Sequence, residues 1–335
     1  MDIPSPGLHR LSQSTIKHLM RQGRGSSVAR QHPSNAGAFI EHRRLSGVEI
    51  LANALQNACV FARCLLLPLA AFLLPFTAIA QTGAEIPFEW RDGLICLNVK
   101  AASANRPLRF VLDSGAGLSA LNLDAARKLK LRLGAPAWVV GVEGGADARW
   151  VHGFAARVGH VPLISDLLVF DLRQINPGSP AGVDGLLGQD FFRGRIVQID
   201  FRNKRIRLLE RADSAGSVVL PIKFQNGAMC VPVSMGGSTP RWTRLDTGCN
   251  DDLHWVGVRP SRSRRTGPLV GFSRGPVAYV ETVVDLAEYR ISGVQAGLHA
   301  REFFPGEAGL LGTGILSNFT MTVDAPGGRV LLKKN

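Results

Sequence analysis

Leu108-Arg109-Phe110-Val111-Leu112-Asp113-Ser114-Gly115 is the stretch from which the fold is read: an apolar run that ends on an acid, a hydroxyl residue and a glycine. Such a run reads as a strand, and the Ser-Gly step after it makes a turn, so a rigid element delivers the Asp113 carboxylate onto a loop. Alone, the tripeptide is ordinary turn chemistry. It gains weight from a second copy, Asp246-Thr247-Gly248, set in the same succession of features.

The repeat extends in both directions. Gly93-Leu94-Ile95-Cys96 precedes the first acid as Gly227-Ala228-Met229-Cys230 precedes the second, and the two Cys-to-Asp spacings differ by one residue. Downstream, Gly185-Leu186-Leu187-Gly188 is matched by Gly309-Leu310-Leu311-Gly312. Each is followed 12 residues later by an Asp that ends a strand-like run, residues 196–200 and 320–324, and then by a closing strand, residues 205–209 and 329–332. A duplicated lobe of about 120 residues accounts for this order. The chain then divides into a disordered leader over 1–63, an apolar segment over 64–80, and lobes over 81–212 and 213–335.

Within the first lobe, Asp124 is expected to cap a short helix over 125–129 that turns Leu129 to its apolar side. Trp138-Val139-Val140-Gly141-Val142-Glu143-Gly144-Gly145 reads as one arm of a hairpin, with residues 149–151 returning after a Gly-rich tip. Gly141, Val142, Glu143, Gly144 and Gly145 are therefore flap candidates. Leu269 to Gly275, ahead of a strand over 277–284, occupies the same relative place in the second lobe.

Composition agrees with an all-β architecture. The 335 residues are 45% hydrophobic, enough for a substantial core, and 37 Gly with 19 Pro punctuate short Val and Leu runs. Of the net charge of +13, the first 80 residues supply +5, from eight Lys/Arg against three Asp/Glu, which leaves +8 for the folded part. The basic run Arg259-Pro260-Ser261-Arg262-Ser263-Arg264-Arg265 has no interleaved aromatics and reads as a solvated loop, not a nucleic-acid surface. An anionic surface or substrate is the alternative for it.

Residues Cys64 to Ala80 form an apolar segment behind Arg63 and end in Ala78-Ile79-Ala80, a small-x-small pattern suited to signal peptidase. Cleavage before Gln81 and a periplasmic or secreted mature chain are expected, with membrane anchoring through 64–80 as the alternative. Pro68 and Pro75 argue against a stable spanning helix. The Arg- and Ser-rich residues ahead of it read as a mis-assigned start or an organelle targeting extension. Cys59 and Cys64 leave with the leader, and Cys96, Cys230 and Cys249 imply no disulfide framework. Cys96 and Cys230 are expected to fill core sites, a Cys230–Cys249 bridge being the alternative. No Cys or His pair has metal-ligand spacing, and His152, His160, His254 and His299 read as surface or satisfied core histidines.

Rival motifs are set aside on context. Gly271-Phe272-Ser273-Arg274-Gly275 matches a serine nucleophile elbow, which needs a following helix, whereas Pro276 and Val277-Ala278-Tyr279-Val280 read as a strand. The Gly141 to Gly145 segment lacks the Gly-Lys-Ser/Thr ending of a phosphate loop, and Gly312-Thr313-Gly314 lacks the third glycine of a dinucleotide fingerprint.

The paired acid loops, each followed by an apolar-Gly segment, resemble the aspartic peptidases over residues 86–333, and most of all retropepsin-like bacterial members fused in tandem like the lobes of pepsin. The resemblance implies a mainly β, bilobal fold of two duplicated six-stranded-type β-barrel lobes with a cleft between them. It implies an aspartic endopeptidase in which Asp113 and Asp246 hold one water and share one proton, since adjacent carboxylates do not both ionise cheaply. Ser114 and Thr247 would tie the two loops together, Gly115 and Gly248 would admit backbone N–H groups to the acids, and Leu187-Gly188 with Leu311-Gly312 would brace the loops from below. A peptide or unfolded protein substrate, no cofactor, no metal, no nucleic acid and a monomer with an internal pseudo-dimer follow from the same resemblance. A catalytically silent envelope peptide-binding protein on this fold is the alternative.

Three positions depart from the family pattern. The first flap has no Tyr; Arg244 stands where the first lobe has Val111; and Cys249-Asn250-Asp251-Asp252 replaces Ala116-Gly117-Leu118-Ser119. Asp251 and Asp252 read as turn or helix-cap residues.

Overall fold

The computed structural model describes residues 85–142, 144–174, 182–258, 265–268 and 276–335. The expected leader and export segment, Glu143 of the flap, the basic run up to Arg264, the second flap over 269–275 and the serine pentapeptide within it lie outside these residues.

The first half runs β1 (Ile86–Pro87), β2 (Glu89–Arg91), β3 (Leu94–Ala101), β4 (Leu108–Leu112), β5 (Ala120–Asn122), α1 (Leu123–Lys128), β6 (Pro136–Gly141), β7 (Gly144–Val158), β8 (Val161–Phe170), β9 (Gly185–Leu187), α2 (Gln189–Phe192), β10 (Ile196–Asp200) and β11 (Arg205–Leu209). The second half repeats it as β12 (Val218–Pro221), β13 (Lys223–Gln225), β14 (Ala228–Met235), β15 (Arg241–Leu245), β16 (Leu253–Val256), β17 (Arg265–Pro268), β18 (Pro276–Leu286), β19 (Tyr289–His299), β20 (Gly309–Leu311), α3 (Thr313–Leu316), β21 (Phe319–Asp324) and β22 (Arg329–Lys334).

Each lobe is one sheet bent into a ring. In the first, the order β3-β4-β9-β5-β8-β7 closes where β3 pairs with β7, and β2 and β6 extend it. In the second, β14-β15-β20-β16-β19-β18 closes through β14 and β18, extended by β13 and β17. Two parallel contacts recur at the same places, β4 with β9 and β5 with β8, then β15 with β20 and β16 with β19. Those parallel contacts set the short Gly-Leu-Leu strands against the strands that carry the acids. Apolar residues such as Phe110, Leu112, Leu121, Val231, Leu245 and Leu253 fill the core beneath them. The architecture is mainly β and duplicated, as the repeat predicts.

Three details differ from the sequence reading. The strands expected to close their own lobes instead leave them: β10 pairs antiparallel with β21, and a third sheet in the order β1-β11-β10-β21-β22-β12 joins the halves. Backbone ladders carry no signature of partner identity, so a lobe's last hairpin looks the same whichever sheet it joins. Asp124 does not cap α1 but sits in its first turn, with Asn122 at the N-cap making no side-chain cap bond; Leu129 ends the helix and packs on the core. The β6–β7 pairing already sets Gly144 and Gly145 in the returning strand, opposite Gly141 and Val140. A side chain at Gly145 would collide with the Trp138 indole.

Cys96, Cys230 and Cys249 are buried free thiols, which removes the Cys230–Cys249 bridge. Among the described residues, no helix is long and apolar enough to cross a membrane.

Candidate active site

β4 and β15 end side by side in the molecule and release Asp113 and Asp246 into two facing loops. The N–H of Asp113 donates to the Leu187 carbonyl at 2.8 Å, and that of Asp246 to the Leu311 carbonyl at 3.0 Å. Leu187 and Leu311 thus hold the first backbone atom of each acid. Gly188 and Gly312 complete the brace because nothing larger fits: a Cβ at Gly188 would stand 2.5 Å from the Leu118 carbonyl carbon, and one at Gly312 would strike the Asp251 carbonyl oxygen.

The hydroxyls of the two motifs lock the loops reciprocally. Ser114 Oγ donates to the Leu245 carbonyl at 2.7 Å and accepts from the Thr247 N–H at 3.0 Å. Thr247 Oγ1 donates to the Leu112 carbonyl at 2.7 Å and accepts from the Ser114 N–H at 3.0 Å. Both residues are fully buried, so each of these four bonds is made where water cannot substitute for it. Gln189 adds a bond from Nε2 to the Ser114 carbonyl.

Each acid is oriented by its own loop and crowded by the other. Asp113 Oδ1 accepts from the N–H groups of Gly115 and Ala116, at 3.0 and 2.9 Å. Among the described backbone donors, Asp246 Oδ1 accepts from Gly248 alone, at 2.9 Å. The Cα of Gly115 faces Asp246 and that of Gly248 faces Asp113, which brings the carboxyls together across the lobe boundary.

Burial raises both carboxyls above the ordinary aspartate range. For Asp246 the charge of Asp113 adds to that effect and leaves it well above it. For Asp113 the two N–H donors and Arg244 oppose it. The second backbone donor on Asp113 favours its carboxylate form relative to that of Asp246.

Arg244 is the cation that the sequence marked as a departure. Its guanidinium is 4% exposed and bonds Glu307 through Nε and Nη2, both at 2.7 Å, while Nη1 donates to the Gly115 carbonyl at 2.6 Å. It stacks on Phe304, 3.6 Å from the ring centroid. One second-lobe side chain thereby grips the backbone of the first acid loop.

The acids open into a cleft of about 530 Å³, lined on the first-lobe side by Leu118, Ala120, Phe170 and Leu186 and covered by Trp138, Val140, Gly141 and Val142 of the hairpin. Trp138 and Val140 are exposed apolar residues on that cover. Gly144 and Gly145 lie behind it in β7 and do not line the cavity. The acids, the hydroxyls, the paired glycines and the Leu-Gly braces are thus brought together, and only the flap candidates are divided.

The residues 99–191 match the family model described as aspartyl protease. The resemblance to the aspartic peptidase superfamily is thus borne out over the first lobe, and the match supports a protease-type function. Among solved structures, an aspartic proteinase from Irpex lacteus is similar over 76% of this chain and 97% of its own, at 12% identity and a TM-score of 0.49. No curated protein matches the sequence.

Two groups escaped the sequence reading. Glu307 was one, although the repeat held a signal: Arg244 and Glu307 take the places of Val111 and Val183, which pack in one apolar cluster of the first lobe. The other is a polar cluster. Asp251 Oδ2 meets Tyr279 Oη and His254 Nε2, both at 3.0 Å, and His254 Nδ1 meets His299 Nε2 at 3.0 Å. Asp251 and Asp252 are therefore not helix caps: Asp252 Oδ2 accepts from the Gln295 N–H at 2.8 Å, and Asp251 anchors the histidines.

Proposed function

We propose that this chain is an aspartic endopeptidase that hydrolyses peptide bonds with water activated between Asp113 and Asp246. The observation that carries the reading is the crossed packing of each motif glycine on the opposite acid, which supports the two carboxyls acting as one proton-sharing pair.

In the reaction, a water between the acids gives a proton to the Asp113 carboxylate as its oxygen attacks the carbonyl carbon of the scissile bond. Asp246 passes its proton to the carbonyl oxygen, which leaves a neutral gem-diol. Asp113 then protonates the departing amine, a diol hydroxyl returns a proton to Asp246, and the C–N bond breaks. The asymmetry of backbone donors, two on Asp113 and one on Asp246, supports this division of labour. Both half-sites lie on one polypeptide, which supports a monomer. The apolar segment 64–80 with its Ala78-Ile79-Ala80 ending supports an exported enzyme acting on peptides or unfolded proteins.

The test is cleavage of an unfolded protein at acidic pH by the wild type, by Asp113→Asn and by Asp246→Asn. Activity in the wild type alone is expected. Equal cleavage by all three sinks the mechanism, and peptide binding without cleavage by any of them favours a silent binding protein on the same fold.

A further inference from the structure

At the places equivalent to the first lobe's cleft lining, the second lobe carries different chemistry. In the first lobe, Ala120 pairs with Leu186 on one side and Leu168 on the other, and Phe170 follows two residues on. In the second, His254 pairs with Leu310 and Gly297, and His299 follows two residues on. Likewise Asp251, five residues after Asp246, stands where the first lobe has Leu118, five after Asp113. Leu118, Ala120, Leu168, Phe170 and Leu186 all line the cleft. Their counterparts keep Leu310 but replace the rest by an acid, two imidazoles and a glycine.

These replacements are mutually fitted. A Cβ at Gly297 would stand 2.7 Å from His254 Nδ1, so the glycine exists to make room for the imidazole. Asp251 Oδ2 accepts from Tyr279 Oη and from His254 Nε2–H, which leaves His254 Nδ1 to accept from His299 Nε2–H. With the His299 Nε2 proton turned to His254, its Nδ1 is left as an acceptor. Burial and the neighbouring His254 hold the His299 imidazole down at about 4, which keeps that acceptor unprotonated above this value. Asp251 retains 28% side-chain exposure, and its Oδ1 makes no hydrogen bond among the described residues. Among the described residues, Asp251 Oδ1 and His299 Nδ1 are thus left as acceptors.

We propose that the second-lobe side of the cleft is a polar subsite in which Asp251 and His299 receive a hydrogen-bond-donating substrate side chain, lysine or asparagine, while the first-lobe side takes an apolar one. The inference rests on the peptidase reading and goes beyond it by giving the substrate an orientation. A residue that donates finds two acceptors there, an aliphatic one leaves both desolvated without a partner, and an acidic one meets the Asp251 charge.

The test uses the full chain carrying Asp113→Asn and peptides that hold Leu on one side of the central bond and Lys, Asn, Leu or Asp on the other, with affinities from calorimetry. Lys and Asn peptides should bind roughly tenfold tighter than the Leu peptide, and the Asp peptide weakest. His299→Phe, which installs the first-lobe residue, and Asp251→Asn, which keeps the shape and removes the charge, should each shrink the Lys-to-Leu ratio towards one without lowering the melting temperature by more than a few degrees. A wild-type-like ratio in both variants, or tighter binding of the Leu peptide before substitution, overturns the subsite. The peptidase reading is judged separately, by cleavage with the unsubstituted chain. Failure to bind any of the peptides likewise overturns the subsite.

Discussion

A Cβ on Gly115 would stand 2.5 Å from Cγ of Asp246, and one on Gly248 would stand 2.5 Å from Cγ of Asp113. The glycine of each motif is thus demanded by the acid of the other lobe. Neither has a positive φ, so the requirement is space and not backbone conformation. Gly115→Ala is expected to lower kcat/KM on an unfolded protein by at least about 100-fold, because an acid displaced by about 1 Å no longer holds its proton partner. The circular dichroism spectrum should stay native, and a variant with wild-type kcat/KM would contradict the crossed packing.

The reciprocal hydroxyl bonds make the loops one energetic unit. Thr247→Val removes a hydroxyl of almost unchanged shape and leaves the Leu112 carbonyl and the Ser114 N–H buried without partners. Ser114→Ala does the same to the Leu245 carbonyl and the Thr247 N–H. Each should cost about 2–4 kcal/mol in denaturant unfolding, and the double variant clearly less than the sum. Strict additivity would show that the two loops do not share a network.

How much of this could be read from the chain depends on whether a feature is local or relational. Asp113-Ser114-Gly115 and Asp246-Thr247-Gly248 were legible because strand, turn and glycine are consecutive, and the Leu187-Gly188 and Leu311-Gly312 braces because they recur at matching distances. Pairing of β10 with β21 was not, since a strand's ladder partners leave no trace in its own sequence. Arg244 stood out singly, but its meaning required Glu307, 63 residues away, and the Gly115 carbonyl, which no sequence pattern encodes. The histidines looked unrelated because the register of β16 on β19 is what joins His254 to His299.

Stability should record the cost of the buried pair. A carboxyl whose folded-state pKa is raised binds its proton more tightly in the native state, so its contribution is fully favourable below the unfolded value and is lost as pH rises towards the folded one. Asp246 is raised well above the ordinary range by burial and by Asp113. Asp246→Asn, which abolishes that titration, should therefore raise the melting temperature relative to wild type at pH 7 by about 2–4 °C and by less at pH 4. A difference that grows towards acid would reverse the sign and refute the assignment.

Arg244 offers the sharpest separation of stability from chemistry. Its charge favours the ionised forms of both acids, so replacing it raises both carboxyls and moves the whole pH profile of kcat/KM upward. Arg244→Met alone also strands the Glu307 carboxylate, which is 1% exposed, and should cost about 3–5 kcal/mol. Arg244→Val with Glu307→Val restores the apolar pair that Val111 and Val183 form in the first lobe. The double variant should recover most of that stability while it keeps the upward-shifted profile, because the lost cation is not replaced. Glu307→Gln should act oppositely on the acids: it leaves the guanidinium less neutralised beside them, so the profile moves down even as the protein is destabilised. Melting curves and pH profiles of these three variants decide the matter, and identical profiles in all of them would mean that Arg244 serves only to hold the Gly115 carbonyl.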